Sequence, residues 1–178
     1  MRPVHAWVLW LVAGLFALAD AAPVYSRKIY PPFGLYWTEG QKEIVKIINH
    51  DGARIVDKSV VEGREAWTIE GLILPALQRT IVYFDKDKDL EEVELQYQQS
   101  DWDLVAYEEF LNGARQQLED RYGPSTVLAK DKKPEGDVMQ TIVGYEWKKP
   151  SGRIQLFFFS AVRNNDVYRS VSLHYRSS

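Results

Sequence analysis

The feature that most constrains this chain is a change of hydrophobic period that occurs twice. Ile44, Val45, Ile47 and Ile48 recur at helical spacing, and from Ala53 to Tyr97 apolar and polar residues alternate. Leu104, Tyr107, Leu111, Ala114, Leu118 and Tyr122 then fall three or four apart, and period two returns from Thr126 to Tyr175. A helix buries one stripe at a period of about 3.6, whereas a strand buries every second residue. Neither pattern serves for the other, so the chain must combine helix with sheet.

Punctuation sharpens these elements. Thr38-Glu39-Gly40-Gln41 has the form of a capping box opening the first helix, and Asn49-His50-Asp51-Gly52 stops it, with Gly52 suited to a left-handed cap. Strands are expected over 54–61, 65–72, 78–84 and 90–97. In the last of these, Val93, Leu95 and Tyr97 point one way and Glu92, Glu94 and Gln96 the other, the signature of a half-buried antiparallel strand. Asp85 to Asp89 is expected to be a hairpin turn, and Pro75 to lie in a connection. Ser100 is the N-cap candidate of the second helix, over 101–122, which Gly123-Pro124 ends. Further strands are expected over 126–130, 140–148, 153–162 and 168–175, with turns at 132–137, 150–152 and 164–166.

Helix followed by four strands thus occurs twice, and Val93-Glu94-Leu95-Gln96-Tyr97 matches Val171-Ser172-Leu173-His174-Tyr175. The expected fold class is α+β: two tandem helix–four-strand units with mostly antiparallel sheet and the helices on one face. The boundaries are 38–99 and 100–178. Each half is small for an independent core, so the two are expected to pack together, either as one continuous sheet or as two sheets sharing a groove.

Ahead of these units lie two other segments. Arg2, an apolar run of 14 residues from Ala6 to Ala19, and Ala19-Asp20-Ala21 follow the order of a secretory signal peptide over residues 1–21, cleaved between Ala21 and Ala22. The run is shorter than the roughly 20 residues that span a bilayer, although retention as an N-terminal anchor is the alternative. Export places the mature chain in the periplasm if the host is bacterial and outside the cell otherwise, with no stable membrane anchor after cleavage. Residues 22–37 hold Pro31-Pro32 and five aromatics and read as an extended arm that packs Phe33, Leu35 and Trp37.

Composition narrows function. With 22 Lys+Arg against 25 Asp+Glu, a net charge of −3 and no basic run, the chain lacks the positive stripe of a nucleic-acid binder. Without cysteine there is no disulfide, thiolate nucleophile or thiolate metal site. His50 and His174 are the only histidines of the mature chain, and no nucleophile elbow, phosphate loop, dinucleotide fingerprint or His-Glu-x-x-His occurs. Asp85, Asp87 and Asp89 begin like a calcium loop, but Leu90 and Gln96 stand where that loop needs glycine and glutamate. No catalytic residue, metal ligand or cofactor is therefore assigned. The binding candidates are aromatic: Trp37, Trp102, Phe157 and Phe159. In a strand, Phe157 and Phe159 share one side and Phe158 takes the other. The run fits a strand covered on both faces, or one that presents two anchors on an open face.

Gly34-Leu35-Tyr36-Trp37-Thr38 entering the first helix, then Phe84, the polar turn and Leu90, resemble the β-lactamase-inhibitor-protein and BamE-like (SmpA/OmlA) group of exported helix-plus-β-meander domains. The chain departs from the BamE pattern in having no lipidation cysteine, which argues against a role in outer-membrane assembly. Members of the inhibitor group bind proteins through a concave sheet, so the resemblance implies a binding module. The expected function is an exported, non-enzymatic protein that recognises a protein partner in the cell envelope. The alternatives are a carrier of small apolar ligands in a groove between the halves, or an enzyme without a recognisable motif.

Overall fold

The computed structural model describes residues 28–178. The signal segment, the Ala21–Ala22 cleavage site and the first residues of the arm fall outside the described residues. The elements run α1 (Gln41–Asp51), β1 (Arg54–Val61), β2 (Arg64–Glu70), β3 (Arg79–Phe84), β4 (Leu90–Tyr97), α2 (Leu104–Tyr122), β5 (Thr126–Glu135), β6 (Val138–Lys149), β7 (Gly152–Arg163) and β8 (Asp166–Arg176).

The composition is α+β, but the expected architecture of two tandem units with helices on one face is overturned. All eight strands join one antiparallel sheet in the order β1-β2-β3-β4-β8-β7-β6-β5, to which two helices are added. The matching pentapeptides are the two central strands: Val93 pairs with Tyr175, Leu95 with Leu173 and Tyr97 with Val171. Two separate four-stranded sheets would have left β4 and β8 as unpaired edges, each with a row of open N–H and C=O groups. Joining them satisfies those groups and makes the core continuous.

That core lies on one face of the sheet. Along β7 the alternation is clean: Ile154, Leu156 and Phe158 are buried, and Gln155, Phe157 and Phe159 are half-buried on the other side. Val171, Leu173, Val93, Leu95, Val82, Ile69 and Trp67 extend the buried face across the sheet, and Ile44 and Ile48 of α1 and Tyr107, Leu111, Leu118 and Tyr122 of α2 belong to the same cluster. Trp147 is 2% exposed and donates its indole N–H to the Gly123 carbonyl at 2.8 Å, which fastens the end of α2 to β6.

Three local expectations change. The N-cap of α1 is Gly40, with no side-chain cap; the Glu39 carboxylate accepts from Tyr36 N–H, and Gly40 bridges to Asp89. The helix is thus started by docking on the β3–β4 turn, where a Cβ on Gly40 would stand 3.3 Å from the Lys88 carbonyl. Asp103, not Ser100, caps α2 by accepting from Ala106 N–H at 2.9 Å, because Trp102 first turns inward against Tyr107 and Phe110. Residues expected as a turn at 132–137 lengthen β5 instead, and the reversal shrinks to Gly136 and Asp137. β5 is an edge strand exposed on both faces, so its lysines leave no apolar alternation to read.

Candidate functional site

Turned away from the core, the central strands carry Glu92, Glu94 and Gln96 on β4 and Ser172, His174 and Arg176 on β8. Register places them in cross-strand rows. One row runs Lys148, Arg153, Arg176, Glu92, Tyr83, and the next runs Glu146, Gln155, His174, Glu94, Ile81. Charges in adjacent rows of central strands stand close enough to interact directly.

Glu92 is the hub. Its carboxylate takes Arg64 Nη1 at 2.6 Å and His174 Nδ1 at 3.0 Å, with Arg176 Nε at 3.8 Å. Burial alone would raise its pKa, but the hydrogen bonds from His174 and Arg64, and their charges, outweigh that and hold it at about 2. Glu94 accepts from the Tyr83 hydroxyl at 2.8 Å and from the Gln96 amide at 2.6 Å. Burial, then the charge and hydrogen bond of Glu94, push the Tyr83 hydroxyl well above the usual phenol range. The Arg64 guanidinium also lies 4.5 Å from the centre of the Tyr83 ring.

Glu92, His174 and Ser172 stand in the order and spacing of a charge relay, with His174 Nε2 3.1 Å from Ser172 Oγ. Nucleophilic chemistry also needs donors aimed at the developing oxyanion. Ser172 sits in mid-strand between Gln96 of β4 and Phe157 of β7, so its backbone is committed to the sheet. The Gln96 amide already donates to Glu94. The arrangement orients His174 between Glu92 and Ser172.

Beside this network lies an aromatic strip. The Phe157 ring meets His174 edge-on at 5.8 Å, and the Phe159 ring lies 6.1 Å from that of Tyr168. Phe157 lies over Gly144 of β6, where a Cβ would come within 2.6 Å of its ring. Gln140, Gln155, Ser170 and Ser172 share this face and surround the aromatics with polar groups.

Comparison with protein families, curated proteins and solved structures finds no match for this chain. The face is therefore read from its own residues.

Of the four aromatic candidates, Phe157 and Phe159 lie together on this face. Trp37 does not join them: half-buried, it donates its indole N–H to the Ile29 carbonyl at 3.2 Å and pins the N-terminal stretch. Trp102 packs half-buried at the start of α2 and lines a cleft there. The network of Arg64, Tyr83, Glu92, Glu94 and His174 was not anticipated. Glu92 and Glu94 alternate in sequence like the solvated side of a strand, yet are 7% and 8% exposed because Tyr83 and His174 flank them. One signal was present: Ser172-x-His174 at strand spacing, which puts hydroxyl and imidazole on one face.

Proposed function

We propose that this chain is an exported, non-enzymatic binding protein that recognises a protein partner in the cell envelope through the sheet face bearing Phe157, Phe159 and Tyr168. The observation that carries this reading is the pairing of the half-buried Phe157 and Phe159 rings and the exposed Tyr168 with a locked polar network on one rigid sheet face. Aromatic residues dominate binding energy at protein interfaces, and a polar surround excludes water from them. Use of a sheet face in this way is what the resemblance to β-lactamase-inhibitor proteins implies.

The test is capture from mildly cross-linked envelope extract with the mature protein and with Phe159→Asp, each checked by near-UV circular dichroism. A partner that the wild type recovers, and that binds Phe159→Asp about 30-fold more weakly, supports the reading. A partner retained equally by Phe159→Asp but lost on changing Val56, exposed on edge strand β1, would move the interface to that edge and overturn it.

A further inference from the structure

On the opposite face, where the apolar core ends, the sheet turns polar. Past the row of partly buried Val143 and buried Phe158 and Val171, the next row is Lys132, Thr141, Ser160 and Arg169. The Arg169 side chain forms no hydrogen bond, ion pair or ring contact among the described residues, and its Nε is buried without a partner. It stands between two hollows. One, of about 750 Å³ at the seam of the two halves, is walled by Trp102, Gln78, Gln98 and Ser100. The other, of about 430 Å³, runs under the start of α2 past Ser160 and Lys132. Glu108, the acid lining the second hollow, makes no ion pair with Arg169.

We propose that the seam cleft binds a carboxylate joined to an apolar body, with Arg169 as the anchor of the carboxylate and Trp102 as the wall for the body. A partly buried guanidinium without a partner is unfavourable, and its planar fork of donors matches a carboxylate in two parallel hydrogen bonds. The volume is that of a small-molecule site, and its amides and hydroxyl supply orienting contacts. A single guanidinium with Glu108 in the adjoining hollow favours a monoanion over a phosphate dianion.

Such a carboxylate is carried by a free organic acid or by a peptide C-terminus, and two probes separate these sources. Isothermal titration of the full mature chain would use 3-phenylpropionate and N-acetyl-alanyl-phenylalanine, with 3-phenylpropionamide as neutral analogue and inorganic phosphate as inorganic anion. The expected result is saturable binding of at least one carboxylate, with the amide about tenfold weaker or worse. Arg169→Met should lose at least about tenfold, and Arg169→Lys, which keeps stem and charge without the planar fork, about threefold. The tighter of the two carboxylates identifies the source. Equal binding of acid and amide, phosphate binding more tightly than both carboxylates, no binding of either carboxylate at about 10 mM, or unchanged affinity in both variants would overturn the proposal.

Discussion

Replacing Glu92 by glutamine removes a charge while preserving shape, and the structure sets the size of the effect. The side chain is 9% exposed, held by Arg64 at 2.6 Å and His174 at 3.0 Å. Its pKa is depressed from an ordinary 4.5 to about 2. A depressed pKa means the unfolded chain takes up the proton first as pH falls. The stabilisation is therefore complete above about pH 5 and disappears as pH drops through about 2. Linkage makes it about 3 kcal/mol at pH 7, about 2 at pH 3.5 and about 1 at pH 3. Glu92→Gln should lower stability by these amounts, a fall in Tm of roughly 6–12 °C at neutral pH. Urea denaturation of both proteins at pH 7, 5, 3.5 and 3 measures the gap. A gap below about 1 kcal/mol at pH 7, or one constant down to pH 3, would refute the assignment of Glu92 as the ionised hub.

Two further substitutions probe the two faces of the sheet. Gly144→Ala should cost about 1–2 kcal/mol, because the new Cβ meets the Phe157 ring at 2.6 Å. The same change in a Phe157→Ala background should be neutral or stabilising by about 0.5 kcal/mol, since only chain entropy then changes; equal costs in both backgrounds would show that the ring does not set the requirement. Trp147→Phe leaves the Gly123 carbonyl without the indole N–H at 2.8 Å and should cost about 2–3 kcal/mol. Hydrogen exchange should then quicken in the last turn of α2, and unchanged protection there would refute the fastening role.

What was legible in the sequence is what periodicity encodes. The Ile44–Ile48 stripe and the alternation through Val93, Leu95 and Tyr97 fix element type, because burial of one side forces those spacings. Gly52 ends α1 in the left-handed region, with φ 67°, as its sequence context suggests. One continuous sheet was one of the two packings the sequence allowed, and the choice between them was not legible, because no local pattern records that Leu95 will face Leu173. β5 was truncated because an edge strand solvates both sides and its lysines carry no period. The cap of α1 was misplaced because a tertiary dock on the Asp85–Asp89 turn supplies what Thr38 was expected to supply. Within that turn, Asp85 Oδ1 accepts from the backbone N–H groups of Asp87 and Asp89, so local turn chemistry employs the carboxylate that resembled a calcium ligand.

The charge network has a further consequence for recognition. Ion pairs withdrawn from water add little net stability, because the cost of desolvation offsets their attraction. Removing one member, as in Glu92→Gln, is costly because its partners are left uncompensated, but the Arg64–Glu92–His174 cluster as a whole adds little that apolar packing would not, and Ile154, Leu156, Leu95 and their neighbours already hold the sheet together on the other face. What such a cluster does supply is fixed direction. His174 is held at both ring nitrogens, Tyr83 is tied to Glu94, and Phe157 lies between Gly144 and His174 with little room to turn. Association loses free energy to the ordering of side chains, roughly 0.5–1.5 kcal/mol for each mobile one. A face on which the polar floor and one aromatic ring are ordered in advance avoids much of that loss. The residues that fix these directions are thus the ones best arranged to bind.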